Sequence, residues 1–298
     1  MPRWLLYSGL TVLLWGVWGF LPRKLGSMSA EQSQVISALG LLPIMLALCL
    51  RRRLLAGTRV KRGCMIAFGA GLVGSVGNIA FYHLMSAGQS AATVVPLTSL
   101  YPLVTVVLAV ALLKEKLNAV QAGGIALALL SIYFFNVGRE ERFSPGWLTF
   151  ALLPILLWGV AGLLQKLCTQ DVSAELSTLC FLAALVAVSL ALLVAKPMTW
   201  QLTGAAWTYA IALGLFLGLG NLTLLAAFSD GGKAAIVSPL AGLYSVVTVP
   251  LAVGLLDEKV RPREWLAIAL ALAAVVALAF EKQRPAEDST VPDDSMLP

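Results

Sequence analysis

Ten long apolar runs constrain this chain more than any other feature of its sequence. Each run has about 17 or more residues with few charges, and a helix of about 20 apolar residues spans the hydrocarbon core of a bilayer. The runs cover residues 4–21, 34–50, 64–85, 90–113, 119–137, 147–165, 175–195, 205–228, 234–256 and 264–280. The sequence therefore predicts an all-α integral membrane protein with ten transmembrane helices.

The composition leaves little room for a soluble domain. Of the 298 residues, 59% are hydrophobic and only 12% are charged, whereas soluble domains carry roughly a quarter charged residues. The net charge of +6 comes mostly from short basic clusters between apolar runs, as in loops that orient a membrane protein. The lipid bilayer is therefore an expected partner and nucleic acid is not. The four cysteines lie in or beside apolar runs without a CxxC motif, and we expect them to be reduced.

The basic residues also predict the orientation of the chain in the membrane. If the N-terminus is cytoplasmic, thirteen Lys and Arg residues fall on the cytoplasmic side and eight on the outer side. The positive-inside rule then favours a multi-pass protein of the cytoplasmic (inner) membrane with both termini in the cytoplasm. The polar tail at residues 281–298 is predicted to be disordered.

The chain contains an internal duplication at one fixed offset. LLWGVWGFLPR (13–23) recurs as LLWGVAGLLQK (156–166), and residues 77–116 recur as residues 220–259. Both pairs are separated by 143 positions without a gap, and 21 of the 40 positions in the longer pair are identical. The sequence therefore predicts two repeats, at 4–137 and 147–280, with five spans each.

The odd number of spans in each repeat determines how the two repeats relate. After five crossings the second repeat enters the membrane from the opposite side, so the repeats are inverted about an axis in the membrane plane. Inverted repeats are common in secondary transporters that work by alternating access, with the substrate bound between the repeats near the midplane. We therefore predict a secondary transporter.

The duplicated segments also resemble a known family. Two copies of one pattern occur at residues 91–129 and 234–272. Each copy begins with small residues and a Pro, has a Glu at the end of its first apolar run, and continues into a further span, as in AATVVPLTSLYPLVTVVLAVALLKEKLNAVQAGGIALAL (91–129). They resemble the end of an EamA domain, and two such domains resemble the EamA branch of the drug/metabolite transporter (DMT) superfamily. The resemblance covers about 4 to 280. It implies a carrier for a small organic metabolite, an amino acid or similar solute, with export favoured.

Missing features restrict the remaining function classes. No Asp or Glu lies in the middle of an apolar run, which argues against a cation exporter built on a central carboxylate. No HExxH, GxSxG or P-loop motif is present, so we expect neither an enzyme nor a cofactor or metal. Sugar or polyol uptake remains an alternative, because aromatic and amide groups suit a neutral polyol. A non-transporting membrane sensor or enzyme is a second alternative, and a homodimer is left open.

Six candidate substrate-binding residues form matched pairs at the offset of 143. These pairs are Trp15 with Trp158, Asn78 with Asn221, and Tyr101 with Tyr244. With inverted repeats, we expect one member of each pair toward the outer side and the other toward the inner side, as two rings around a central cavity. Interhelical hydrogen bonds and aromatic residues at the membrane interface are the alternative explanation.

Three further candidates lie where the repeats differ, because substrate choice is expected to depend on such positions. In the alignment of the repeats, Tyr82 corresponds to Leu225, and Thr98 and Ser99 correspond to Ala241 and Gly242. Tyr82 is four residues from Asn78 and shares its helical face. Together these side chains would place donors and acceptors on an apolar wall, as in many small-molecule pockets.

Other polar and small residues have structural interpretations. Glu115 and Glu258 end matching runs, where the helix dipole disfavours a carboxylate, so we predict that each has a basic partner and links neighbouring spans. Pro96 and Pro239 permit a bend or begin a helix. Gln165 is predicted to end the sixth span near the cytoplasmic face. Glycines in the third and eighth spans are predicted to form packing faces, namely Gly69, Gly71, Gly74, Gly77, Gly214 and Gly218.

Overall fold

The computed structural model describes residues 2–26, 28–50, 57–113, 118–136 and 145–280. Regular structure in these ranges is helical, apart from a single β-bridge between Gly57 and Val172. The helices are α1 (Arg3–Phe20), α2 (Ala30–Cys49), α3 (Val60–Ser86), α4 (Ala91–Thr98), α5 (Tyr101–Leu113), α6 (Ala119–Asn136), α7 (Pro145–Cys168), α8 (Ala174–Ala195), α9 (Gly204–Ser229), α10 (Ala234–Gly242), α11 (Ser245–Leu256) and α12 (Pro262–Ala279). A short 3-10 turn, Leu21–Lys24, follows α1. The tail at 281–298 and Glu115 lie outside the described residues.

Eight apolar segments in the described ranges are long enough to cross a bilayer. Two of them combine short helices, because α4 with α5 and α10 with α11 each form one interrupted segment. The remaining helices α6 and α12 have 18 residues each and pack against one another. An all-helical membrane protein is therefore confirmed, while the count of ten spans stays a prediction.

Side-chain caps begin several of the helices. Ser29 accepts a hydrogen bond from the backbone N–H of Gln32, and the Gln32 side chain accepts one from the backbone of Ser29. Asn118 and Gln121 exchange the same two bonds at the start of α6. Such capping boxes satisfy backbone donors that the first helical turn leaves free. They therefore start these helices at the polar residues between apolar runs.

The two repeats interlock instead of packing as separate units. Helix α1 packs against α9, and the corresponding helix α7 packs against α3. The same exchange occurs in hydrogen bonds: Thr105 in α5 donates to the carbonyl of Gly159 in α7, and Thr248 in α11 donates to that of Gly16 in α1. Each of these contacts joins one repeat to the other. The folded core is therefore built jointly by the two copies.

Close helix crossings depend on glycines, as the sequence predicts. A Cβ added to Gly214 in α9 would overlap the backbone carbonyl of Ser37 in α2, and one at Gly71 would overlap that of Phe181 in α8. Added Cβ atoms at Gly74, Gly77 and Gly218 would also contact neighbouring helices. Gly69 is the exception, since nothing lies within 4 Å of the added atom. The packing face thus includes five of the six predicted glycines.

Candidate functional site

A cavity of about 50 Å³ lies between the two repeats. Its residues lie on α1, α3, α7, α8 and α9 and at the points where the two interrupted segments break. The lining residues are Trp15, Trp18, Gly74, Asn78, Tyr101, Trp158, Ala161, Gln165, Phe181, Leu217, Asn221 and Tyr244. All six of the matched candidates line this cavity. They line one shared cavity, and their arrangement as an outer and an inner ring stays a prediction.

Six of the twelve residues that line the cavity are aromatic. The rings of Trp15 and Tyr244 meet edge to face at a centroid distance of 6.2 Å, and those of Trp158 and Tyr101 do so at 6.4 Å. These two contacts correspond under the repeat. Trp18 adds a further edge-to-face contact to Trp158 at 5.6 Å. Edge-to-face packing directs ring faces and ring edges in different directions, so the wall offers both flat apolar surfaces and N–H or O–H edges.

The two matched tryptophans approach their partner helices in the same way. Each indole N–H edge lies against a glycine, Gly77 for Trp158 and Gly220 for Trp15, where a Cβ would collide with the ring. Each glycine precedes the matched asparagine, Asn78 or Asn221. In both repeats the indole Nε1 therefore lies next to the residue that precedes the matched asparagine.

The hydrogen bonds of the two tryptophans nevertheless differ. Trp158 Nε1 donates to Asn78 Oδ1 over 3.1 Å. The corresponding atom, Trp15 Nε1, is buried and has no hydrogen-bond partner among the described residues. The difference arises at Asn221, whose Oδ1 accepts instead from Gln165 Nε2 at 2.8 Å. Position 165 corresponds to Pro22 in the first repeat, which has no side-chain donor.

The remaining three candidates lie behind the cavity wall. Tyr82 is 1% exposed, and its hydroxyl accepts a hydrogen bond from Trp18 Nε1 at 3.3 Å. Thr98 Oγ1 lies 3.3 Å from the Tyr244 hydroxyl and also donates to the Val94 carbonyl. Ser99 Oγ donates to the carbonyl of Pro96 at 2.8 Å. These three side chains support the lining residues without reaching the cavity.

Sequence reasoning missed two polar cavity residues, Gln165 and Trp18. Helix α7 continues three residues beyond Gln165 to Cys168, so Gln165 lies in the last turn of the helix. It is 4% exposed. Helical spacing carries the signal that would have found it, because positions 158, 161 and 165 share one face of a helix. Trp18 follows Trp15 by three residues and shares its face in the same manner.

The interrupted segments break beside the cavity. Helix α4 ends at Thr98, two residues after Pro96, with 3-10-type bonds such as Leu100 N–H to the Leu97 carbonyl at 3.2 Å. The second segment breaks in the same way after Pro239, where Leu243 N–H bonds the Leu240 carbonyl. A Cβ on Gly242 would lie 2.9 Å from the Ser99 carbonyl. The two breaks therefore pack against each other and place Tyr101 and Tyr244 at the cavity.

Glu258 links the second repeat to the start of helix α4 in the first. Its carboxylate accepts hydrogen bonds from the backbone N–H groups of Ala91 and Ala92, at 3.1 and 2.9 Å, and from Ser90 Oγ at 2.7 Å. Arg23 Nε forms an ion pair with the same carboxylate at 3.2 Å. A carboxylate is favourable at a helix N-terminus because of the exposed donors and the dipole. The predicted basic partner of Glu258 is therefore Arg23.

The charged groups of the described chain lie away from the cavity. Lys166 Nζ donates to the carbonyls of Phe228 and Gly232, and Lys196 pairs with Glu31. Within the described ranges no charged side chain lines the cavity, and no three His, Cys, Asp or Glu residues cluster as metal ligands. The site therefore offers aromatic surface, amide groups and the indole N–H of Trp15, which has no partner among the described residues.

Comparisons with known proteins relate the whole architecture to transporters. The sequence profile of the EamA-like transporter family matches residues 2–137 and 145–280. A protein of Sinorhizobium sp, described as an uncharacterized transporter in the cobO 3' region, is 28% identical over 140 residues, which are 46% of this chain and 98% of that protein. A protein of known crystal structure aligns over 91% of this chain and 94% of its own, with a TM-score of 0.68 and 19% identity. That similarity concerns the fold alone.

Proposed function

Because the chain belongs to the EamA-like transporter family, we propose that it is a secondary carrier that moves a small organic metabolite across the cytoplasmic membrane by alternating access. The carrier has ten spans in two inverted repeats, at 4–137 and 147–280, and both termini face the cytoplasm. It exports an amino acid or similar solute without converting it chemically. The bilayer and the solute are its partners.

The observation that carries this proposal is the central cavity shared by the two repeats. Matched residues of both copies, such as Asn78 and Asn221, line it together. Secondary transporters with inverted repeats bind their substrates at such a position, between the repeats and near the midplane. A fixed binding site for a sensor would not require this duplicated wall.

The size of the cavity supports a mechanism with moving helices. Pockets for small organic ligands typically measure about 300–1,000 Å³, whereas this cavity of about 50 Å³ holds only a few water molecules. A metabolite therefore needs the helices of the two repeats to separate before it can bind. The helix pairs that pack closely at Gly71 and at Gly214 would each move as a unit during this separation.

Solute counterflow in proteoliposomes tests the proposal. Purified protein is placed in tight vesicles loaded with unlabelled amino acids, sugars, nucleobases or organic acids, and uptake of the labelled counterpart is measured. Transient accumulation of one labelled class, absent from empty vesicles, is the expected result. If folded protein exchanges none of these classes, the carrier proposal is wrong. Sugar accumulation would support the polyol alternative.

A further inference from the structure

The free indole N–H of Trp15 distinguishes the two halves of the cavity. Trp158 Nε1 is satisfied by Asn78, but Trp15 Nε1 is buried and has no partner among the described residues. Buried polar groups normally find a partner in the protein or in an ordered ligand or water. An unsatisfied donor on a cavity-lining residue therefore marks a place where a hydrogen-bond acceptor from outside the chain would bind, once the helices separate and uncover the N–H edge that lies beside Gly220.

Gln165 is the residue that keeps this donor available. Asn221 Nδ2 donates to the Leu217 carbonyl at 2.8 Å, and because a carbonyl only accepts, this bond fixes which end of the amide is which. The Asn221 oxygen then faces Gln165 Nε2 and accepts its hydrogen bond. A carbonyl oxygen can accept two hydrogen bonds, but the Asn221 oxygen is turned toward Gln165 and makes no bond to Trp15, whereas the Asn78 oxygen accepts from Trp158.

The rest of the cavity wall limits what the acceptor belongs to. Within the described ranges no charged side chain lines the cavity, and burying an unpaired charge there would be costly. Aromatic faces attract cations, but a cation without an acceptor atom would leave the Trp15 donor unsatisfied. Six of the twelve lining residues are aromatic, and their flat faces favour stacking against another ring. These features fit a flat, uncharged ring with an acceptor atom at its edge.

We propose that the central cavity binds a planar, net-uncharged ring compound through a hydrogen bond from Trp15 Nε1 to an acceptor at the ring edge. Gln165 is a positioning residue, because it holds Asn221 away from Trp15. This inference rests on the proposed carrier function, and it replaces the amino acid or similar solute named there with a narrower substrate class, planar uncharged ring compounds. Nucleobases have this chemistry, as their rings carry carbonyl or ring-nitrogen acceptors.

The test uses counterflow of labelled uracil and adenine, with glucose and the organic cation 1-methyl-4-phenylpyridinium as comparison solutes. Wild-type protein should accumulate at least one base and neither comparison solute. Trp15→Phe removes the donor and keeps an aromatic ring, and it should raise the KM for the base by about two- to tenfold, the range for one lost hydrogen bond, with little change in maximal rate. Trp200→Phe is the matched control, because Trp200 is 41% exposed and stacks on Trp207.

A double-mutant cycle tests the role of Gln165. Gln165→Leu alone should raise the KM in the same direction, because Asn221 then competes for the Trp15 N–H. In a Trp15→Phe background the same change should have no further effect, since the donor is already absent. If Gln165 had only a structural role, the effects of the two changes on the KM would be independent and would multiply. That result would overturn the positioning role.

The outcomes separate this inference from the carrier proposal. If glucose or the cation accumulates and neither base does, the protein is a carrier and the proposed substrate class is wrong. A thermal-unfolding measurement with uracil and adenine adds an independent binding readout. If a base stabilises the wild type but not Trp15→Phe, and no solute exchanges in tight vesicles, then the binding site stands and the carrier function fails. If neither base exchanges or stabilises the protein, the inference is overturned.

Discussion

Single residues decide how the symmetric cavity becomes asymmetric. The matched pairs of Trp, Asn and Tyr give both sides of the cavity the same groups, and position 165 alone replaces a proline with an amide. This one side chain changes the partner of Asn221 and leaves Trp15 unsatisfied. One substitution beside the matched residues can therefore give the two halves of a duplicated site different hydrogen-bonding groups.

Asn78→Leu is expected to destabilise the protein and impair substrate binding. The change leaves Trp158 Nε1 buried without its acceptor, which costs about 1–3 kcal/mol, and the Tm in detergent should fall accordingly. Tyr82→Phe is the matched comparison for binding, because it also removes the acceptor of a buried tryptophan N–H, that of Trp18, and should lower the Tm, but it does so behind the wall. It should change the KM in counterflow by less than about twofold. A larger KM effect from Tyr82→Phe than from Asn78→Leu would contradict the placement of the two residues.

At the level of secondary-structure elements, the ends and breaks of helices join the repeats. Glu258 follows α11 in the second repeat and caps α4 in the first, and the two prolines precede breaks that bring Tyr101 and Tyr244 to the cavity. The sequence predicts a bend or a helix start at each proline. The structure shows that the helix ends two residues after Pro96 and three after Pro239, because 3-10 bonds tighten the helix end after each proline. Its position depends on packing between the repeats, which local sequence does not encode.

Glu258→Gln is expected to weaken the attachment of α4. The amide keeps one acceptor oxygen but loses the ion pair with Arg23, and its NH₂ group faces donors that need an acceptor. Hydrogen bonds to charged groups contribute about 1.5–3 kcal/mol each, so the free energy of unfolding should fall by roughly 1–3 kcal/mol. Thermal unfolding in detergent measures this change. Asp230→Asn, at an exposed helix end, should shift stability by less than about 0.5 kcal/mol, and equal losses would argue against the cap.

Gly214→Val tests the crossing of α2 and α9. The added Cβ would overlap the Ser37 carbonyl, and since backbone cannot yield like a flexible side chain, the helices must separate. Overpacking of this kind costs typically 1–3 kcal/mol and at a backbone contact about 3 kcal/mol or more, so the yield of monodisperse protein in size-exclusion chromatography should drop sharply. Gly69→Ala is the control, with nothing within 4 Å of its new atom. A normal yield of Gly214→Val would show that the crossing is looser than described.

For the whole molecule, the sequence carried information about class and family, and less about the site. Continuous apolar runs and the offset of 143 indicate a helical membrane protein with two repeats, and the EamA resemblance is confirmed. Tyr82, Thr98 and Ser99 were proposed for the cavity because they differ between the repeats, but they lie behind it. Difference between copies does not reveal which way a side chain points. Gln165 was overlooked because the extent of α7 was underestimated by three residues.

Alternating access makes a prediction for the molecule as a whole. The cavity is built by both repeats, so its walls should become reachable from either membrane face as the repeats rearrange. Ala161 lines the cavity and is 4% exposed, and a cysteine there reports access without adding bulk. The four native cysteines, Cys49, Cys64, Cys168 and Cys180, are first replaced by serine or alanine in a variant that retains counterflow.

Ala161→Cys should then react with a membrane-impermeant thiol reagent added from either side, and saturating transported solute should change both labelling rates. Two single-cysteine variants provide fixed reference points. Asp230→Cys follows α9 and should react only from the cytoplasmic side, while Asp257→Cys follows α11 and should react only from the outer side, because the proposed topology places these helix ends on opposite faces. If the references behave so and Ala161→Cys reacts from one side under every condition, the pocket is fixed. Alternating access would then be excluded for this protein, and a membrane sensor would explain the cavity better.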